Sequence, residues 1–210
     1  IQAVVIRSGG FQGADLRQAP VARFEKRVDP DGQNLIPVLH TLYTEDREFR
    51  KSVDLAMRTA FEGQFEELIF APAADQRIQL RVRWKNRKRD DSAADLSDGT
   101  LRFLLLITIL ASPEAAPLIA LDEPETGLHP SMLPIVAEYA VEASRSRQII
   151  FTTHSPEFLD AFPKDAPPTT TVAKWADGQT QLVRLNDEEL ARWLKEYSLG
   201  ALHRSGELEN

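Results

Sequence analysis

A short apolar segment that ends in two carboxylates constrains the fold of this chain more than any other feature. Residues 118–124 read Leu-Ile-Ala-Leu-Asp-Glu-Pro, and a second proline, Pro117, comes directly before them. A short apolar run bounded by proline is typical of a strand buried on both faces, because proline cannot donate to a central ladder. We therefore expect Asp122 and Glu123 at the carboxyl end of a buried strand, where open parallel α/β sheets bind ligands.

The two adjacent carboxylates predict a division of roles. Successive side chains on a strand point to opposite faces, so the side chains of Asp122 and Glu123 diverge if strand geometry persists to Glu123. One carboxylate could then hold a metal ion while the other addresses a water molecule. The alternative is a solvated acidic turn after a structural strand.

A second apolar strand is predicted at residues 148–152, after a helix at residues 132–143. The two strands of such a strand–helix–strand unit should be parallel, with their carboxyl ends at the same edge of the sheet. Neighbouring strands lie ~4.8 Å apart, so His154 would then stand beside Asp122 and Glu123. A single histidine after a strand is more often an ordinary loop residue, and only this placement favours a functional role.

The segment Leu96-Ser97-Asp98-Gly99-Thr100 precedes a stretch that is apolar almost all round, which predicts a buried helix over residues 101–111. Ser97 is a suitable N-cap, and Gly99 permits close backbone approach. The N-terminus of such a helix favours anion binding, because it carries unpaired N–H groups and a partial positive charge. The alternative is a simple capped core helix.

Elsewhere the patterns predict helices within residues 31–45 and 49–61, a half-buried strand at 77–84, a hairpin around 176–179 and a last helix at 187–197. Six basic residues lie between positions 81 and 89 and predict either nucleic-acid contact or a solvated face. The net charge of −7 favours the solvated face.

Composition excludes several classes of protein. The chain has no cysteine, so disulfides and zinc–thiolate sites are impossible and a reducing, cytoplasmic setting is expected. The longest apolar run, residues 103–111, is far shorter than the ~20 residues of a membrane helix. The glycine-rich stretch 8–13 is not a phosphate loop, because none of the ten glycines is followed by lysine. The chain begins with Ile1 rather than methionine, so we expect a piece of a longer polypeptide.

Together these segments resemble the carboxyl-terminal half of an ABC-type ATPase head, closest to the RecF-, SMC- and OLD-related ATPases of the AAA_21 or AAA15 group. Residues 96–100 resemble the ABC signature, 118–123 resemble Walker B with its catalytic glutamate, and 126–129 occupy the D-loop position. The resemblance covers residues 96–160, and the similar stretches 31–35 and 196–200 extend it over the whole length. Asp98 replaces the usual signature glycine, and a Walker A motif is missing.

The resemblance implies an α/β fold: the carboxyl-terminal lobe of a P-loop NTPase, with a mostly parallel sheet, flanking helices, a helical signature region and a C-terminal β-hairpin. It implies that Asp122 holds Mg²⁺, that Glu123 is the general base and that His154 is the switch histidine. Residues Leu96, Ser97, Asp98, Gly99 and Thr100 would bind the γ-phosphate of ATP held by a second head. The expected divisions are 1–95, 96–165 with the ATPase motifs, and 166–210.

The resemblance also implies function and partners. We expect ATP hydrolysis by a homodimeric head without a membrane segment, coupled to DNA repair or phage defence, with DNA as a further partner. A second hypothesis is a non-catalytic lobe that docks on a partner head or on nucleic acid. A third is a metal-dependent hydrolase with Asp122, Glu123 and His154 as ligands, although three-ligand convergence is awkward for adjacent acids.

Overall fold

The structure is a computed structural model that describes residues 3–6 and 16–209. The chain divides into two compact units, with the boundary between Thr152 and Thr153. The strands of the described residues are β1 (Ala3–Ile6), β2 (Phe65–Ala73), β3 (Arg77–Trp84), β4 (Asp91–Ser92), β5 (Leu118–Asp122), β6 (Gln148–Thr152), β7 (Thr171–Ala176) and β8 (Gln179–Arg184). The α-helices are α1 (Leu35–Glu45), α2 (Arg47–Ala60), α3 (Asp98–Ala111), α4 (Leu133–Ser144), α5 (Pro156–Asp160), α6 (Asp187–Trp193) and α7 (Leu199–Arg204). The glycine-rich stretch 8–13 lies outside the described residues.

A parallel sheet in the order β1-β5-β6 carries the acidic strand in its middle. Leu121 pairs with Ile6 on one side and with Phe151 on the other. Asp122 pairs with Thr152, the last residue of β6. The predicted parallel pairing is therefore confirmed, and the carboxyl ends of β5 and β6 lie at one edge of the sheet.

The expectation that β5 is buried on both faces is wrong. Ile119 and Leu121 are buried on one face, whereas Leu118, Ala120 and Asp122 on the other are only half-buried. Ile150 of β6, which pairs with Ala120, is 44% exposed. An apolar run predicts that a strand is buried, but which faces other elements cover depends on tertiary packing.

A second sheet, in the order β2-β3-β4, is antiparallel. The half-buried strand predicted at 77–84 is confirmed, with Ile78, Leu80 and Val82 buried. Strand β2 was not predicted, because its sequence does not alternate, and its register shifts between Phe65 and Glu67. The sheet that carries the acidic strand is thus parallel, whereas the β2-β3-β4 sheet and the β7-β8 pair are antiparallel.

Helix α3 forms the centre of the first unit. Every side chain from Thr100 to Leu110 is buried, as the apolar sequence predicts. It packs against α2 and α4, which carry their own apolar stripes. Because α3 is fixed on all sides, the residues at its N-terminus are held by the core.

The second unit combines a hairpin with short helices. Strands β7 and β8 are joined by Asp177 and Gly178, both with positive φ, as a two-residue type I′ turn requires, so the predicted hairpin is confirmed. A small core of Leu190, Leu199, Leu202 and Leu208 holds α6 and α7 together. The predicted last helix ends at Trp193 rather than at residue 197. The three-part division of the chain stays a prediction.

No helix within residues 3–6 and 16–209 is long and apolar enough to cross a membrane.

Candidate functional site

The N-terminus of α3 is built as the sequence predicts. Ser97 caps the helix, and its Oγ accepts a hydrogen bond from the Thr100 backbone N–H at 3.1 Å. The two hydroxyl groups of Ser97 and Thr100 are also hydrogen-bonded, at 2.8 Å. Leu96 and Thr100 are buried while Ser97 is exposed. The cap therefore presents its hydroxyl at the surface, and the buried neighbours hold it in place.

Asp98, the residue that departs from the signature pattern, is held by an arginine that sequence reasoning missed. Nη2 of Arg17 lies 2.6 Å from the Asp98 carboxylate, whose side chain is 73% exposed. Nη1 of Arg17 donates to the carbonyl oxygens of Ala94 and Leu96 at 2.8 and 2.7 Å. Arg17 therefore ties together the backbone just before α3 and the first acid of the helix.

The acidic pair follows β5 directly and is anchored to β6. The hydroxyl of Thr152 donates a short hydrogen bond to Oδ1 of Asp122. The backbone N–H of Glu123 donates to the carbonyl oxygen of Thr152 at 2.9 Å. Thr152 thus orients both acids, a role that became visible only once the strand register was known.

Glu123 leaves the strand, so the expected divergence of the two carboxylates by strand alternation does not apply. Its φ is 44°, in the left-handed region that residues other than glycine rarely adopt. Such a conformation costs on the order of 1–3 kcal/mol and persists only where the surroundings fix it. The chain therefore turns sharply at Glu123, and this turn directs its carboxylate.

The loop that begins at Glu123 and ends at Gly127 contacts the start of α3. A Cβ atom on Gly99 would lie 2.6 Å from the carbonyl oxygen of Gly127, closer than real Cβ contacts come. Only glycine fits at position 99 without displacing this loop. The structure therefore brings together the signature-like and D-loop-like segments, which are far apart in sequence.

Arg102 is a second residue that sequence reasoning missed. The residue is only 7% exposed, and Nη2 donates to the carbonyl oxygen of Glu123 at 3.0 Å. Burial lowers the pKa of Arg102, and the carboxylates of Glu125, Glu123 and Asp122 act in the opposite direction. A single arginine in an apolar helix was the available signal, because charged side chains are almost never buried unless they are paired.

His154 belongs to the second unit, where it is exposed, two residues beyond the end of β6. Its convergence with Asp122 and Glu123 stays a prediction. Of the predicted site residues, those of the first unit are the ones that the structure brings together.

The donor set at the strand end fits a magnesium ion that is carried by a nucleotide. Among the described residues, no three His, Asp or Glu side chains are grouped as a metal centre made by the protein alone requires. Mg²⁺ in nucleotide sites is held by one or two carboxylates together with phosphates and waters. The single carboxylate of Asp122 suits that arrangement.

Two of the six basic residues between positions 81 and 89 are paired with nearby acids. Arg83 lies 2.6 Å from Glu67 and 2.9 Å from Asp90, and Arg87 is paired with Asp91. This pairing favours the solvated strand face over a nucleic-acid surface.

A cleft of about 530 Å³ opens beside the N-terminus of α3. It is bordered by Ser97 and Thr100 on one side and by Phe61 and Trp84 on the other. The described residues that line it include neither member of the acidic pair.

Comparison with solved structures shows the same fold. An SMC ATPase studied for ATP-driven dimerization and DNA-stimulated activation matches with a TM-score of 0.53 and 15% identity, over 75% of this chain and 95% of that one. The Smc head of Pyrococcus furiosus bound to the C-terminal domain of ScpA matches with a TM-score of 0.55 and 16% identity, over 78% and 40%. The Smc head with a coiled coil from Pyrococcus yayanosii gives 0.53 and 17%, over 77% and 30%. These similarities show an SMC-head-like α/β fold.

No curated protein sequence matches the chain with significant similarity. The sequence model of one family, described as "AAA domain, putative AbiEii toxin, Type IV TA system", matches residues 6–160, which is more than half of the 210 residues. This range contains the capped N-terminus of α3, the acidic pair and His154. The chain therefore belongs to the AAA_21 family, and its fold resembles that of SMC ATPase heads.

Proposed function

We propose that this chain forms part of an ATP-hydrolysing head that dimerises around ATP. The observation that carries the proposal is the junction of α3 with the acidic strand end. A serine-capped helix N-terminus, suited to a phosphate, contacts the loop that follows two carboxylates at the edge of a parallel sheet. Membership of an ATPase family supports the same proposal.

In this proposal the residues of the first unit have distinct roles. Asp122 would hold Mg²⁺, and Glu123 would accept a proton from the attacking water. Mg²⁺, when bound, neutralises charge on the β- and γ-phosphates. Thr152 supports both acids, because it donates to Asp122 and accepts from the Glu123 amide. His154 contacts the γ-phosphate and reports its presence.

The γ-phosphate at the N-terminus of α3 comes from nucleotide held by a second head. Two observations support this arrangement. The cleft beside Ser97 excludes the acidic pair of the same chain, and a structurally similar SMC ATPase is described as undergoing ATP-driven dimerization. Leu96 and Thr100 fix the terminus in the core, while Ser97, Asp98 and Gly99 face the phosphate. A phosphate-binding loop with lysine must come from outside this chain, because no glycine in it precedes lysine.

The first experiment measures ATP turnover by the full-length protein with Glu123→Gln. We expect turnover to fall about 100-fold or more, because an amide cannot accept the proton from water. Glu114→Gln is the matched control, since Glu114 is exposed in the loop after α3. Unchanged turnover in the Glu123 variant would reject the assigned base.

A second experiment tests the arrangement of the two heads. Ser97→Ala and Glu123→Gln subunits are mixed to form heterodimers. If Ser97 serves the nucleotide of the partner, one of the two sites in each heterodimer contains neither change, and turnover recovers to about half of the wild-type value. If Ser97 and Glu123 serve the same nucleotide, each site contains one change and no recovery occurs.

We infer a cytoplasmic homodimer coupled to DNA repair or phage defence. The family description and the DNA-stimulated SMC ATPase support this inference. Stimulation of ATP turnover by duplex DNA would test the DNA-related part. The alternative, a non-catalytic docking lobe, gains little from the basic segment, because Arg83 and Arg87 are already paired with acids.

A further inference from the structure

Arg102 is the only charged residue among the buried side chains of the described chain. A buried charge is retained only where hydrogen bonds or opposite charges offset its desolvation. The proposed chemistry does not use Arg102, which lies on the core helix α3 rather than in the loop that carries the acids. Its position therefore requires a separate explanation.

The loop Glu123–Gly127 is held at both ends by α3. Arg102 donates to the carbonyl oxygen of Glu123 at 3.0 Å, at the beginning of the loop. Gly99 lies against the carbonyl oxygen of Gly127, at its end. Positions 99 and 102 are three residues apart and lie on the same side of a helix. One turn of α3 thus contacts the loop backbone at both of its ends.

The peptide groups on either side of the Glu123 Cα are fixed as well. The N–H of Glu123 donates to the Thr152 carbonyl oxygen at 2.9 Å. Its carbonyl oxygen accepts from Arg102 and, at 3.1 Å, from the Thr126 N–H. A left-handed residue other than glycine persists only where its neighbours over-determine it. Among these contacts, only the Arg102 side chain links Glu123 to α3.

We propose that Arg102 is a positioning residue that holds Glu123 in its left-handed turn and thereby aims the carboxylate at the attacking water. The proposal rests on the proposed function, because it gives Arg102 a kinetic role only if Glu123 is the base. Its guanidinium also lies near Asp122, Glu123 and Glu125, which explains how three acids can be gathered beside one buried cation.

The test compares the full-length wild type with Arg102→Met, Glu123→Gln and the double variant. We expect Arg102→Met to lower kcat about 10- to 100-fold, since a small misplacement of a catalytic group has effects of this size. KM for ATP should change less than about 2-fold, because Arg102 does not touch the nucleotide. The double variant should turn over no more slowly than Glu123→Gln alone, because Arg102 acts only through Glu123.

Arg147→Met is the matched control. Nη1 of Arg147 donates to the carbonyl oxygen of Ser112 at 3.0 Å, at the opposite end of α3. This variant also loses a hydrogen bond from an arginine to a backbone carbonyl oxygen, here that of the α3 C-cap residue, and it should keep its kcat. Arg102→Lys keeps the positive charge and a donor nitrogen, and it serves if the methionine variant does not fold. Its kcat should fall with little change in Tm.

A second readout does not depend on ATP turnover. Amide hydrogen exchange at Glu123 and at residues 125–127 should accelerate in Arg102→Met and Arg102→Lys, while α3 stays protected. The proposal would be overturned if the loop exchanged at the wild-type rate in the Arg102 variants. It would also be overturned if the double variant lost kcat by the product of the two single losses. If Glu123→Gln keeps wild-type turnover, the proposed function fails instead, and accelerated exchange would still identify Arg102 as the residue that holds the turn.

Discussion

Two helices of this molecule begin with the same local pattern and differ in what they face. Helix α3 starts with Ser97-Asp98-Gly99, and α7 starts with Ser198-Leu199-Gly200. Each serine accepts a hydrogen bond from the backbone N–H three residues later, at 3.1 and 3.2 Å. Each glycine is also packed too closely against another segment for a Cβ atom to fit.

The opposing groups separate the two helix starts. At α7, the Gly200 N–H donates to the Asp160 carboxylate at 2.7 Å, and Arg204 binds the same carboxylate at 3.0 Å. At α3, the described group nearest to a Cβ on Gly99 would be the Gly127 carbonyl oxygen, and the Asp98 carboxylate is paired with Arg17. The start of α7 is therefore filled by an acid of its own unit, whereas the start of α3 is where we propose that a phosphate binds.

The largest effect should come from Gly200→Ala. A Cβ there would lie 2.1 Å from the Pro156 carbonyl oxygen and 2.6 Å from the Asp160 carboxylate. We expect a loss of about 3 kcal/mol in the free energy of unfolding. Gly99→Ala should lose about 1–2 kcal/mol, because the loop that it meets can shift.

Urea unfolding followed by tryptophan fluorescence measures these losses. Gly206→Ala is the control, because Gly206 has a φ of 75° and no atoms within 4 Å of its would-be Cβ. It should cost only the left-handed backbone strain, about 1 kcal/mol. An equal loss for Gly99→Ala and Gly200→Ala would mean that the two helix starts are equally rigid.

Asp160→Asn should cost about 2 kcal/mol at neutral pH, since hydrogen bonds to a charged group are lost. Burial raises the pKa of Asp160, but hydrogen bonds from Ser198 and Gly200 and the charge of Arg204 bring it below its ordinary value. A group whose pKa is lower in the folded protein stabilises the fold at every pH above its pKa in the unfolded chain. This stabilisation is lost as the pH falls below about 4.

Unfolding free energies of wild type and Asp160→Asn between pH 6 and pH 2.5 check this prediction. The difference between the two proteins should shrink as the pH falls. A constant difference would show that the Asp160 charge does not stabilise the start of α7.

Removal of either serine cap should cost about 1 kcal/mol, so Ser97→Ala and Ser198→Ala should be similar in stability. They should differ in activity. Only Ser97→Ala should lower ATP turnover of the full-length protein, by about tenfold, as expected for one lost hydrogen bond to the transition state. If Ser198→Ala lowered turnover equally, the functional distinction between the two helix starts would be wrong.

The smallest effect should come from Asp98→Asn. The bridge from Arg17 is at the surface, and exposed ion pairs contribute little, so the change should stay within about 0.5 kcal/mol. The same urea titration at low and at high salt measures it. A larger, salt-sensitive loss would show that the Arg17 contact fixes the start of α3.

The parts of the fold that could be predicted are those with strong local patterns. The continuous apolar stretch predicted α3, the proline-bounded run predicted β5, and Asp177-Gly178 predicted the hairpin. These patterns act within a few residues. Strand β2 lacked such a pattern, and the half-open face of the parallel sheet depends on which elements cover it.

The candidate site was predictable in its residues but not in its connections. The contact between Arg17 and Asp98 joins residues 81 positions apart, and the Thr152 hydroxyl meets Asp122 only because of the strand register. Asp122 and Glu123 could be named from the sequence, whereas the turn at Glu123 could not. Strand alternation predicted that the two carboxylates diverge. In the structure the strand ends before Glu123, and the direction of its carboxylate follows from the left-handed turn with a φ of 44°.

That bend also limits which amino acids position 123 can accept. A branched Cβ is poorly tolerated in left-handed backbone, so valine or isoleucine would disturb the loop as well as remove the acid. Asparagine adopts this conformation more readily and would remove the charge while sparing the chain path. A survey of all substitutions at this position should therefore rank them by backbone tolerance in folding yield and by carboxylate chemistry in turnover.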